Sequence, residues 1–259
     1  MKLNNYSEVG RILKEKKRII FITGAGISAE SNIPTFRGTK GLWKEHNFTD
    51  LSSPGGFERN PEVVWEWYQW RRDLIKKASL NPGHIAIAEF EKIKPEMLLI
   101  TMNTDNMHLR AGTSKNKIIE IHGNMFNVFC EKNEQCSEGL SRENAIRMET
   151  LSEPLPKCNC GGKLRPNVIW FGEKPLYPLM KKCVSALEKA DVLIIVGTSN
   201  VVEPVANFPK YAKENGAILV EVNIEDTPLT NACDFIFRDS ASVVLSKFVE
   251  YLKNQNSES

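Results

Sequence analysis

The sequence predicts an α/β fold: a Rossmann-like parallel sheet with helices on both faces, plus a smaller domain beside it. Short apolar runs alternate with helix-length segments, the order that a parallel sheet with crossover helices requires. The runs lack polar alternation, as strands covered on both faces do. Two stretches, 38–80 and 124–165, break that rhythm and are read as excursions that build the smaller domain.

Taken in order, strands are expected at 18–23, 97–101, 117–120, 192–196, 217–223 and 235–237. Helices are expected at 6–16, 61–77, 82–92, 176–189, 202–214 and 242–253. The main domain then comprises 1–37, 81–123 and 166–259. The smaller one combines a Trp-rich helical insertion, 38–80, with a cysteine-bearing ribbon, 124–165. No internal repeat is visible, and the last six residues read as a frayed tail.

A chain of 259 residues with 41% hydrophobic residues can bury one large core or one core plus a module. Acids and bases are interleaved to a formal net charge of +2, so no basic stripe announces nucleic acid. No signal-peptide pattern opens the chain and no apolar run reaches membrane-spanning length, which makes a cytoplasmic protein the expectation. Of six cysteines, Cys130, Cys136, Cys158 and Cys160 bracket one polar segment. Two clusters of thiols read as a closed tetrahedral structural zinc site, with free thiols as the alternative. The first pair is spaced more widely than is usual for zinc. Cys183 and Cys233 read as small core residues.

The strongest local signal is Gly24-Ala25-Gly26-Ile27-Ser28-Ala29, a G-x-G-x-x-A turn between a strand and a helix. Glycines there permit a tight turn with helix-terminal amides facing the pyrophosphate of a dinucleotide such as NAD; the alternative is a merely structural turn. The acidic residue that dehydrogenases place about twenty positions on is missing, since Glu45 follows no strand. The nucleotide is therefore expected to sit differently.

The turn continues through Ile33-Pro34-Thr35-Phe36-Arg37-Gly38, and at this length it resembles the sirtuin family of NAD-dependent protein deacylases. Four further blocks agree in the family's order: residues 101–108 (Thr-Met-Asn-Thr-Asp-Asn-Met-His) with Ala111-Gly112; Glu120-Ile121-His122-Gly123; residues 165–173; and Gly197-Thr198-Ser199 with Asn223-Ile224-Glu225. The likeness covers nearly the whole chain. It is strongest to the class that removes acidic acyl groups, on Ala29-Glu30-Ser31, the helix containing Tyr68-Gln69-Trp70-Arg71, and Thr227-Pro228 with Thr230-Asn231.

The resemblance implies a function for each block. An acyl-lysine carbonyl oxygen attacks the nicotinamide ribose of NAD and expels nicotinamide. His122, at a strand's carboxyl end, then activates a ribose hydroxyl, and deacylated lysine and O-acyl-ADP-ribose leave. Asn103 and Asp105 hold the nicotinamide ribose and carboxamide; their alternative is a polar cap on a strand end. Phe36 and Arg37 shield and steer the ribose and phosphates. Gly24 to Ser28 (Gly24, Ala25, Gly26, Ile27, Ser28), Trp43, Met102 and Thr104 border the nucleotide. Gly197, Thr198, Ser199, Asn223, Ile224, Glu225 and Ala241 take its adenosine half.

Tyr68 and Arg71 stand three apart and share a helix face. By resemblance they clamp the carboxylate of a succinyl or malonyl group, which suits a guanidinium and a phenol in a partly dry pocket. Val168, Ile169, Phe171 and Gly172 belong to an extended segment expected to pair with the substrate backbone as an added strand. Four positions depart from the family's pattern: Met102 stands for Gln, Thr104 for Ile or Val, Asn200 for an apolar residue, and Phe48 where acidic-acyl members carry Ala. Met102 lacks the amide's hydrogen bonds, and Phe48 narrows the acyl pocket. The alternatives are an NAD glycohydrolase or ADP-ribosyltransferase on the same scaffold, or a non-catalytic NAD sensor.

Overall fold

The structure is a computed structural model that describes residues 2–34, 42–43, 46–151 and 153–254. Seven parallel strands form the main sheet, in the order Lys2–Leu3, Phe235–Phe237, Ile218–Val222, Val192–Val196, Ile19–Thr23, Leu98–Thr101 and Ile118–Glu120. Six of these were expected within two residues at either end. The edge pair Lys2–Leu3 was not, because two exposed residues carry no periodicity.

Side chains alternate across each strand, which is why no polar alternation appears. In the central strand Ile19 and Phe21 join the core under helices Tyr6–Glu15, Pro82–Ile93 and Ala241–Asn254. Ile20 and Ile22 join the opposite core, which contains Cys183 and Leu187 of helix Tyr177–Leu187 and Phe208 and Ala212 of helix Phe208–Glu214. Cys183 and Cys233 are buried in that second core, as expected. The helix expected over 202–214 is divided: a 3-10 turn at Val205–Asn207 precedes helix Phe208–Glu214. Pro204 and Pro209 explain the division, since a proline has no amide to donate and fits best in a first turn.

A second body of buried side chains centres on helix Pro61–Lys77, which supplies Val64, Trp65, Trp67, Tyr68 and Ile75. It packs against a three-stranded antiparallel sheet of Ile146–Arg147, Gly123–Cys130 and Leu164–Val168. Trp65 is wholly buried, and its indole donates to the Leu164 carbonyl at 2.9 Å. Arg72, also wholly buried, donates through Nε to the Met125 carbonyl at 2.7 Å. Strand Leu164–Val168 runs past position 165, where the ribbon was expected to end. Among the described residues no helix is long and apolar enough to cross a membrane.

Candidate active site

Strand register places the site. Val222, Val196, Thr23, Thr101 and Glu120 lie level across five neighbouring strands. Each strand ends there, so Asn223, Gly197, Gly24, Met102 and Ile121-His122 follow along one edge. From Ile19–Thr23 the sheet continues to Leu98–Thr101 on one side, and from the adjacent Val192–Val196 to Ile218–Val222 on the other, which makes the gap between Thr23 and Val196 the switch point where open parallel sheets hold ligands.

The loops at that gap interlock. Gly26 donates its amide to the Gly197 carbonyl at 2.8 Å, and Gly24 donates to Val196 at 3.0 Å. A methyl on Gly197, which has φ +57°, would lie 2.6 Å from the Ile27 nitrogen. Ile27 and Ser28 donate to the carbonyls of Gly24 and Ala25. The amides of Gly24, Gly26, Ile27 and Ser28 are thus bonded within the protein, and glycine is required where the two backbones touch.

Beside this turn, Asn103 and Asp105 are buried and face Ser28. Asn103 Nδ2 donates to the Gly24 carbonyl at 3.0 Å and to Ser28 Oγ at 3.3 Å. Ser28 donates its hydroxyl to Asp105 Oδ2 at 2.7 Å, while Asp105 Oδ1 accepts the Met107 amide at 3.0 Å. Two histidines that were given no role stand behind them, His84 and the His108 that closes the 101–108 block. His84 Nε2 lies 3.3 Å from Ser28 Oγ, and His108 Nε2 lies 3.0 Å from Thr23 Oγ1, with the rings edge to face at 5.1 Å. Burial lowers the pKa of both below the ordinary imidazole value, that of His108 well below it. The available signal was that this chain has only four histidines, and His84 opens an apolar stretch.

His122 is half-buried just beyond strand Ile118–Glu120, and its carbonyl accepts the Ile169 amide at 2.9 Å. Burial lowers its pKa below the usual value, with the Met102 backbone acting in the opposite sense. Met102 donates its amide to the Thr23 carbonyl, and the Thr104 carbonyl accepts from Met125, so both border the loop bearing Asn103. On the other side, Asn223 Nδ2 donates to the Thr198 carbonyl at 2.9 Å, beside Ser199. Ile224 and Glu225 are exposed, and Ala241 is buried where the last helix begins. Phe36 and Arg37 lie outside the described residues, as do the side chains of Trp43 and Phe48.

Tyr68 and Arg71 share one helix face as expected. Tyr68 is 2% exposed, and its hydroxyl accepts the Trp170 indole hydrogen at 2.7 Å. Burial raises its pKa. Arg71 is half-buried, with its guanidinium 5.3 Å from the centre of the Trp67 ring. Burial lowers the Arg71 pKa, and the charges of Tyr68 and Asp105 oppose that shift. The extended segment expected over 168–173 stops at Val168. Glu173 then donates its amide to the Trp170 carbonyl and closes a turn that exposes Phe171 and gives Gly172 φ +87°.

The four ribbon cysteines converge, with all four Sγ atoms within 4.8 Å of one another. Cys130 and Cys160 lie 3.5 Å apart, Cys136 and Cys158 3.6 Å. Thiolates about 2.3 Å from a tetrahedral zinc stand roughly 3.8 Å from each other, so the residues fit the ion. Burial pushes the Cys130 thiol up to about 12, whereas the Gly162 amide draws Cys160 down to about 7. A divalent cation is what lets four such neighbours ionise together. A methyl on Gly162 would meet Cys130 Sγ at 2.6 Å, so only glycine leaves room for that sulfur.

A family model described as the Sir2 family matches residues 24–204. An NAD-dependent protein deacylase of Aquifex aeolicus is 46% identical over 242 residues, covering 93% of this chain and 98% of the relative. A crystal structure of a Sir2 homologue in complex with NAD superposes with a TM-score of 0.89 at 37% identity, covering 98% and 96% of the two chains. A Sir2 structure with a p53 peptide and NAD+ superposes with a TM-score of 0.80 at 27% identity, covering 98% and 100%.

Proposed function

The chain belongs to the Sir2 family, and from that premise we propose that it removes acyl groups from protein lysines in an NAD-dependent reaction, favouring acyl groups that end in a carboxylate. The products are nicotinamide, free lysine and O-acyl-ADP-ribose. The observation that carries the reading is the register of five strand ends. It lines up Asn223, Gly197, Gly24, Asn103 and His122, so one extended ligand spans residues that hold its two ends and one that moves a proton.

NAD, when bound, supplies a ribose carbon that accepts the acyl oxygen as nicotinamide departs. The loops at Gly197 and Asn223 would take the adenosine half. Asn103 and Asp105, fixed on Ser28, would hold the nicotinamide half in a site closed to water. His122, neutral because burial disfavours its cation, is in the form that accepts a proton from a ribose hydroxyl. Residues 168–172 would take the peptide backbone, consistent with the peptide-bearing relative. The ribbon thiols would hold a zinc that is structural, because four protein ligands leave no open position.

The acyl preference rests on Arg71. Its half-buried guanidinium stands three residues from Tyr68 on one helix face, and a substrate carboxylate there would gain charge-assisted hydrogen bonds. An acetyl group offers nothing in exchange. Matched succinyl-, malonyl- and acetyl-lysine peptides test this in the wild-type chain and in Arg71→Met. The preference holds if the substitution removes acidic-acyl turnover by about two orders of magnitude while acetyl turnover stays within a few-fold. Faster acetyl removal by the wild-type chain contradicts it.

A further inference from the structure

Arg142 lies in the ribbon between the two cysteine pairs, far in sequence from every block discussed above. Its side chain is only 12% exposed. The guanidinium stacks 4.4 Å from the centre of the Phe129 ring. Nη1 donates to the Val168 carbonyl at 3.1 Å, and Nη2 donates to both Glu173 carboxylate oxygens at 3.0 and 3.2 Å.

Glu173 in turn shapes the segment before it. Its carboxylate accepts the Trp170 amide at 2.9 Å while its own amide donates to the Trp170 carbonyl at 2.9 Å. Arg165 supplies the carboxylate's second cation at 2.9 Å and lays its guanidinium 3.6 Å from the Trp170 ring centre. Residues 168 and 173 are therefore both tied to one arginine of the ribbon, and Phe171 and Gly172 are presented between them.

Arg142 is itself held in place. Its amide donates to Asn133 Oδ1 at 2.8 Å, and its carbonyl accepts from Asn167 Nδ2 at 3.3 Å. Asn133 sits in the loop between Cys130 and Cys136, so the chain of contacts runs from the cysteine cluster to the peptide segment without touching the nucleotide loops.

We propose that Arg142 is a positioning residue for protein substrates: by bridging the Val168 carbonyl and the Glu173 carboxylate, it holds residues 168–173 in the shape that receives the substrate backbone. This rests on reading those residues as the peptide site. Arg142 does not touch the reacting atoms. Its loss is felt in peptide KM and not in NAD binding, and only with substrates that have flanking residues to bind.

The test compares Arg142→Met and Arg142→Lys with the wild-type chain on two acyl-lysine substrates: a peptide with several residues on each side, and a single acyl-lysine capped at both ends. NAD affinity is measured directly by calorimetry. For Arg142→Met, KM for the long peptide rises about tenfold, as loss of charged-group hydrogen bonds would give, while KM for the capped lysine and NAD affinity change less than about twofold. Arg142→Lys keeps a cation beside Phe129 and so preserves folding, but one ammonium cannot span both acceptors and the long-peptide KM still rises. Unchanged long-peptide KM in both variants overturns the proposal. Equal KM for the two substrates in the wild-type chain overturns the peptide-site reading instead, and the proposal with it.

Discussion

The side-chain amide of Asn103 donates to the carbonyl of Gly24 at 3.0 Å, joining two strand ends that stand 79 residues apart. This bond makes the glycine turn and the Asn103-to-Asp105 loop one unit. Asn103→Ala removes one of the two donors to the buried Gly24 carbonyl, the Ile27 amide being the other, at a cost of about 0.5–1.5 kcal/mol. Nicotinamide release falls by roughly a hundredfold because a group aimed at the reacting end is lost. Steady-state release assays alongside thermal melts check both, and retained activity with lowered stability would assign Asn103 to structure alone.

Substituting Gly197 separates the two readings of the turn. Gly197→Ala forces a methyl against the Ile27 backbone and requires a positive φ that costs roughly 1–2 kcal/mol outside glycine. The two loops must part, so stability and NAD affinity fall together. A variant that melts like the parent and binds NAD as tightly would show that close approach is not what the glycines provide.

The histidines set the acid side of the pH dependence. His84, His108 and His122 all have folded-state pKa values lowered by burial from an ordinary value of 6.5. The unfolded chain binds more protons than the folded one as pH falls below 6.5, so stability is full above that value and declines beneath it. Activity follows the neutral form of His122, with a single acidic limb in kcat/KM below 6.5 and a plateau above. Rate profiles for the wild-type chain and for His122→Asn, with denaturant melts at each pH, check this. An acidic limb at or above 7 would mean that another group governs the proton.

Much of this architecture was legible because burial on two faces writes a simple pattern. Strands Val192–Val196 and Phe235–Phe237 stand where unbroken apolar runs placed them. The helix Pro61–Lys77 begins at the proline that suits a first turn. The ribbon was not legible as a sheet: the Gly123–Cys130 strand pairs with a partner beginning at residue 164, and its register shifts midway. The pairing is long-range, and no local period reports it. Asn103, Asp105 and His122 each follow a strand, and the resemblance to sirtuins singled them out there. Arg142 and His84 could not be located, since their partners are chosen by the fold and nothing in their neighbours marks them.

Metal removal should act on the small domain first. One zinc per chain is expected, and a strong chelator should melt the sheet built on Gly123–Cys130 while leaving the two cores of the main sheet packed. Metal analysis with hydrogen exchange resolves this by segment. Folded, fully active protein without zinc would remove the metal from the account.

The most direct test is mass spectrometry of the products formed from NAD and matched succinyl- and acetyl-lysine peptides. Nicotinamide, free lysine and O-acyl-ADP-ribose are expected in equal amounts, faster from the succinyl peptide, with none of the three when acyl peptide is left out. Nicotinamide and free ADP-ribose appearing at the same rate without any acyl-lysine would contradict that expectation.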